Sequence, residues 1–259
     1  MKNKKELGQN WLKNRAILDE IADYAVAGAD KQSAEKIAEK KELCVEIGPG
    51  LGFLTSSLLK RFERVIAVEF DSELAQKLPG SFPGKNLTVV NEDVLKYDFD
   101  MINEPYTVAG NIPYYITSPI IKKLLTLGRK PERIVLLVQK EVAERIVDKK
   151  ETVLSLFVKN HAKVTAGLVV SKEEFAPAPK VDSQLIIMKP YEKPVVGEAV
   201  FDLILTAFKA PRKKLVHNLA GFGTKEELFI VLNECGVSMD ARSGDVDLKQ
   251  WAELYKKLQ

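Results

Sequence analysis

Asn111, Ile112, Pro113 and Tyr114 follow a short apolar run, Val108-Ala109-Gly110, and bring together the parts needed to hold an amine beside a ring. The side-chain oxygen of Asn111 can accept a hydrogen bond from an exocyclic amine. Pro113 has no backbone N–H and a fixed φ, so it stiffens the turn and leaves the Ile112 carbonyl free to face the same amine. Tyr114 offers a ring face on which a planar base can stack. A plain strand-to-helix turn with an Asn cap would use the same residues, so the rest of the chain has to decide.

A second group of residues surrounds a glycine-rich turn, Glu46-Ile47-Gly48-Pro49-Gly50-Leu51-Gly52. Glycines between a strand and its helix permit a tight turn and let the backbone approach a ligand. Dinucleotide-binding enzymes use a related loop, and the glycines alone do not separate the two. Glu46 stands two positions before the first glycine, near the place a cationic methionine moiety would occupy. Pro49 sits inside the loop, which suits a ligand without a pyrophosphate. Both favour S-adenosylmethionine (SAM), with Gly48 and Gly50 shaping its cradle. Glu69, at the end of the next β-branched run, can accept both ribose hydroxyls, and Asp93, after the third run, can accept from the adenine amine. Taken singly these are also ordinary strand-end carboxylates and a turn residue.

The elements that must position these residues follow from periodicity. Apolar or β-branched runs at 43–47, 64–69, 86–90, 106–110 and 134–138 alternate with helical stretches at 53–61, 72–78 and 119–127. Parallel neighbours need crossover connections, so this alternation predicts a mostly parallel sheet. The site residues then fall at C-terminal strand ends, where open α/β sheets bind ligands. Two further runs, 163–170 and 183–188, have no helix between them and read as an antiparallel hairpin at the sheet edge. Helical patterns at 198–208, 213–219, 225–234 and 248–258 follow, the last with Asp247 as its cap. The fold expected is α/β, a Rossmann-like sheet in a catalytic domain over 1–190 and a small all-helical domain over 191–259.

With 259 residues, 46% apolar content and a net charge of +3, the chain can bury a sizeable core, and RNA binding is permitted without being demanded. Basic residues cluster locally at Lys209, Arg212, Lys213 and Lys214, and again at Lys2, Lys4 and Lys5. Cys44 and Cys235 show no metal or disulfide spacing, and no metal is expected. The N-terminal lysines are not followed by an apolar stretch, and no segment is long enough to span a membrane. These features imply a cytoplasmic protein.

Gly8-Gln9-Asn10-Trp11-Leu12, Glu46 to Gly52, Glu69, Asp93, Asn111 to Tyr114, and Phe175-Ala176-Pro177-Ala178-Pro179-Lys180-Val181-Asp182-Ser183 occur in this order. In that order they resemble the ribosomal RNA adenine-N6,N6-dimethyltransferases, over essentially the whole chain. The resemblance implies that Asn10 and Leu12 line the SAM site beside Gly48, Glu69, Asp93 and Asn111, and that Phe175 and Tyr114 sandwich a flipped adenine. Thr117-Ser118-Pro119 and the tail, Ala207-Phe208 with Arg212-Lys213-Lys214-Leu215, resemble the branch that dimethylates two adjacent adenosines near the 3′ end of 16S rRNA in the small ribosomal subunit. The runner-up is the macrolide-resistance branch, which acts on 23S rRNA. Trp11, Pro211 and Ser243-Gly244-Asp245 depart from the usual pattern; the last two blur the tail's RNA contacts. A monomer is expected. Two other classes compete: an NAD-linked oxidoreductase, which leaves Asn111–Tyr114 without purpose, and a ribosome-assembly or DNA-binding protein with no catalytic role.

Overall fold

The computed structural model describes residues 9–28 and 40–259; Lys2, Lys4, Lys5 and Gly8 lie outside the described residues. The described strands are β1 (Trp11–Leu12), β2 (Lys41–Ile47), β3 (Phe62–Glu69), β4 (Leu87–Asn91), β5 (Tyr106–Asn111), β6 (Arg133–Gln139), β7 (Ala162–Val170), β8 (Phe175–Ala176) and β9 (Ser183–Pro190). Seven of them form one sheet in the order β4-β3-β2-β5-β6-β9-β7. β2 to β6 pair in parallel, and β9 joins β6 antiparallel, with Val138 opposite Gln184. The two runs expected at the sheet edge are neighbours there, with β9 as the inner strand.

Continuous apolar runs suit parallel strands because both faces of the sheet are covered. Ile134, Val135, Leu136, Leu137 and Val138 are all fully buried, as are Leu43, Cys44 and Val45 on β2. Helix α1 (Arg15–Ala27) adds to the expected elements. Asn14 caps it by accepting from the N–H groups of Ala16 and Ile17 at 3.1 and 3.4 Å. Its Leu18, Ile21, Ala22 and Ala25 fall at helical spacing and pack into the same core as Cys44, Val65 and Val135. The crossover helices α2 (Phe53–Leu58), α3 (Ser72–Lys77) and α4 (Thr117–Thr126) lie within two residues of the expected start.

The strand order fixes where a ligand can sit. From β2 the chain moves outward through β3 and β4, then returns to the other side of β2 with β5. The crevice at that reversal, outside the C-terminal ends of β2 and β5, is where doubly wound sheets bind ligands. Glu46 lies opposite Ala109 and Ile47 opposite Gly110, so the glycine loop and Asn111 emerge side by side.

The chain divides into two compact units, 1–143 with 163–190, and 144–162 with 191–259. The second unit thus draws on a segment that precedes the two edge strands, including helix α6 (Val153–His161), which follows α5 (Lys140–Val147). It also holds α7 (Glu198–Ala207), α8 (Leu215–Asn218), α9 (Lys225–Glu234) and α10 (Leu248–Lys257). Its core is built around Trp251 with Leu203, Ile204, Leu215 and Leu254. Asp247 caps α10 as expected, accepting from Gln250 N–H at 2.9 Å. The expected helix at 213 starts two residues later, because Lys214 is extended (φ −60°, ψ 145°). Ser243 and Gly244 have structural duties: the Ser243 hydroxyl donates to the Ala207 carbonyl at 2.6 Å, and the Gly244 carbonyl accepts from Glu151 N–H at 2.7 Å.

Candidate active site

A cavity of about 240 Å³ opens at the β2–β5 crevice, walled by 9–12, 46–51, 68–70, 92–95 and 111–116. Gly48 (φ 65°) and Gly50 (φ 56°) are left-handed, a conformation that costs other residues roughly 1–2 kcal/mol. A Cβ on Gly50 would lie 3.1 Å from the Trp11 indole nitrogen, so glycine also makes room for the N-terminal segment.

Glu69 ties this loop to its own strand end. One carboxylate oxygen accepts from Gly50 N–H at 3.0 Å and the other from Asp71 N–H at 2.8 Å. A carboxylate offers about four acceptor directions, which leaves capacity for two hydroxyls. Burial pushes the Glu69 pKa up, while the Asp71 and Gly50 donors pull against that. Asp93 uses one oxygen locally, accepting from Leu95 N–H at 2.9 Å, and its carbonyl accepts from Lys96 and Tyr97. Glu46 is 1% exposed, and its Oε2 has no hydrogen-bond partner. Burial, with the negative charge of Glu69 added to it, lifts its pKa to about 8. An unsatisfied buried acid at a cavity wall suits a ligand that brings a cation or donor.

Asn111 supplies the decisive geometry. Its Nδ2 donates to the Asn10 carbonyl at 2.9 Å, which fixes the orientation of the amide and leaves Oδ1 as the unused acceptor. The first residues of the described chain therefore set the direction of a side chain at the end of β5. Gln9 fastens the same segment by donating to Asp71 at 3.2 Å. Tyr114 shares a hydrogen bond with the buried Ser183 hydroxyl at 2.8 Å, so its phenol is anchored and its half-buried ring is held at the cavity wall.

Residues 1–259 match the ribosomal RNA adenine dimethylase family from end to end. The chain belongs to this family. Among its relatives, the ribosomal RNA small subunit methyltransferase A of Fusobacterium nucleatum is 35% identical over 98% of this chain and 97% of its own length. The protein of the same name from Synechocystis is 36% identical over 98% and 96%. Among solved structures, the 23S rRNA methyltransferase ErmE superposes with a TM-score of 0.77 at 25% identity over 96% of this chain and 99% of its own. A dimethyladenosine transferase from Plasmodium falciparum gives 0.76 at 28% over 94% and 95%.

Most of the residues singled out in the sequence of this dimethylase converge on the one cavity: Asn10, Leu12, Glu46, Gly48, Gly50, Glu69, Asp93, Asn111, Ile112, Pro113 and Tyr114 all line it. Phe175 is the exception: expected on the second face of the base, it does not line the cavity. It is 5% exposed, pairs with Leu12 across β1 and β8, and belongs to the hydrophobic core rather than to the cavity wall. To stack on a base it would have to leave that packing. Tyr115, absent from the expected site, lines the cavity and is 64% exposed. Trp11, Phe53 and Phe70 also line it; their apolar and aromatic character is visible in the sequence, but their convergence requires the fold.

In the second unit, Lys209, Arg212, Lys213 and Lys214 lie on the turn between α7 and α8, all four of them exposed. Lys214 is ion-paired with Asp240, while the other three form no ion pair among the described residues. His161 hydrogen-bonds the Phe157 carbonyl at 2.8 Å and stacks on the Phe157 ring, and neither it nor His217 lines the cavity. Among the described residues no helix is long and apolar enough to cross a membrane, and no cluster of three or more His, Cys, Asp or Glu could hold a metal ion.

Proposed function

We propose that the cavity binds SAM and that this dimethylase converts two adjacent adenosines near the 3′ end of 16S rRNA to N6,N6-dimethyladenosine. The observation that carries this reading is the Asn111 amide, locked by the Asn10 carbonyl so that its oxygen is the free acceptor beside the glycine loop.

The donor set fits SAM. The unpartnered Glu46 oxygen suits the cationic amino-acid end, Glu69 the ribose hydroxyls, and the second oxygen of Asp93 the adenine amine. When bound, SAM supplies a methyl group already activated by its sulfonium. Adenine N6 is a poor nucleophile because its lone pair is delocalised into the ring, so the protein's task is alignment. Asn111 Oδ1 and the Ile112 carbonyl accept the two N6–H bonds, which favours a tetrahedral nitrogen with its lone pair turned outward. Tyr114, held by Ser183, stacks on the flipped base. Fixing such a near-attack geometry is worth up to about 7–11 kcal/mol in model systems. No general base is required, since the proton leaves to water after transfer.

The names and identities of the Fusobacterium and Synechocystis relatives support the small-subunit substrate. The fold similarity to ErmE, with a TM-score of 0.77 beside 0.76 for the Plasmodium dimethyladenosine transferase, keeps 23S rRNA as the second reading. The unpaired cations at 209–213 support a phosphate contact in the second unit. Calorimetric titration with SAM and with NAD tests the cofactor assignment. SAM binding with no NAD heat is the expected result; the reverse would return the chain to the dinucleotide reading.

A further inference from the structure

The turn that carries Asp93 is held by one lysine, and that lysine comes from the helix that follows the target-base motif. Asp93 organises residues 93–97 from inside, through its bonds to Leu95, Lys96 and Tyr97. The carbonyls of Leu95 and Tyr97 take no part in that network. Lys123 Nζ donates to both, at 2.9 and 2.6 Å. The same ammonium lies 5.4 Å from the centroid of the Phe99 ring, which is fully buried and packs edge-on against Tyr97. Its donors are thus met by two carbonyls and a ring face.

Lys123 lies on α4, which begins immediately beyond Asn111–Tyr114 through a short 3₁₀ turn over Tyr114–Ile116. We infer that Lys123 is a positioning residue for the cofactor site: it sets the Asp93 carboxylate for the adenine amine and ties that turn to the element carrying the target-base motif. Leu95 itself lines the cavity, so a shift in its carbonyl is a shift in the wall. Charge-assisted bonds to two backbone carbonyls are the strong, directional kind, and loss of the cation leaves both acceptors without a partner. This inference rests on the SAM reading and deepens it by naming what gives the site its selectivity for adenine.

The test measures binding of S-adenosylhomocysteine and S-inosylhomocysteine, which lacks the exocyclic amine, to wild type, Lys123→Met and Lys123→Arg. Met keeps the aliphatic stem and deletes the donors; Arg keeps a charge and can donate to two carbonyls. The wild type is expected to prefer the adenosyl ligand. In Lys123→Met that preference should shrink about tenfold, equivalent to about 1.4 kcal/mol, with the adenosyl ligand bearing most of the loss. Lys123→Arg should recover part of it, and kcat at saturating SAM should change far less than KM for SAM. Equal weakening for both ligands, or an unchanged preference, would overturn the positioning role. If Lys123→Met does not fold, Lys123→Gln, which keeps a shorter neutral donor in place of the cation, decides: a preference for the adenosyl ligand equal to that of wild type would overturn the positioning role. Failure of the wild type to bind either ligand would overturn the SAM assignment itself, a result distinct from loss of selectivity in the variant.

Discussion

Asn111→Asp separates the two jobs given to this side chain. The variant keeps an acceptor for the target amine and nearly the same shape, but it replaces Nδ2 with oxygen. That atom donates to the Asn10 carbonyl at 2.9 Å. In the variant, oxygen would face oxygen there, so either the N-terminal segment lets go or the carboxylate turns away from the amine. Removing one partner of such a part-buried hydrogen bond costs about 1–3 kcal/mol. That corresponds to a fall in kcat/KM of about 5- to 150-fold. Single-turnover methyl transfer to unmodified small subunits is the assay, with S-adenosylhomocysteine affinity measured beside it. A protonated carboxyl could donate to Asn10, so residual activity of the variant should rise, relative to wild type, as pH falls. Asn111→Ala, which removes both functions, should fall at least as far and show no such rise. Activity of Asn111→Asp within about threefold of wild type at every pH, a difference under about 0.7 kcal/mol, would refute the view that the Asn10 contact orients the catalytic amide.

Glu46→Gln should remove a pH dependence of stability. Burial lifts the Glu46 pKa from 4.5 to about 8, so the ligand-free fold retains a proton that the unfolded chain releases. Its contribution to stability is whole below the unfolded pKa of 4.5 and is lost as pH rises to about 8. Thermal melting of the ligand-free proteins should therefore show Glu46→Gln gaining on wild type across that window, and parallel curves would contradict it. Charge reversal at Arg212 or Lys213 should weaken RNA binding and reduce the salt slope by roughly 0.7–0.9 for each phosphate no longer neutralised. Reversal at Lys214, already paired with Asp240, should do less; equal effects at the three positions would count against specific phosphate binding.

The sheet can be read in the sequence because its parallel strands leave apolar or β-branched runs, continuous on the buried strand β6, and because glycines and carboxylates mark their C-terminal ends. Helix α1 is equally readable in principle: Asn14 precedes Leu18, Ile21, Ala22 and Ala25 at helical spacing. Helix α6 likewise carries a Thr152–Ser155 capping box. The two-residue strands β1 and β8 have no local signature, since each exists only through a partner far away in the chain, Trp11 opposite Ala176 and Leu12 opposite Phe175. The burial of Phe175 follows from that pairing, so a residue that reads as a loop aromatic sits in the core. The Asn111 orientation has the same origin: residue types suggest an acceptor, but which end of the amide points inward depends on Asn10, brought close only by folding. Lys123 has no signature for a related reason, as its partners are backbone carbonyls, which no side-chain pattern reports.

Labelled-methyl transfer from SAM to unmodified small ribosomal subunits, with large subunits and protein-free 23S rRNA in parallel, tests the central claim most directly. Products would be digested to nucleosides and identified by mass spectrometry. The account predicts N6,N6-dimethyladenosine confined to 16S rRNA, at two adjacent positions near its 3′ end. Label only in 23S rRNA, or no label despite measured SAM binding, would contradict it.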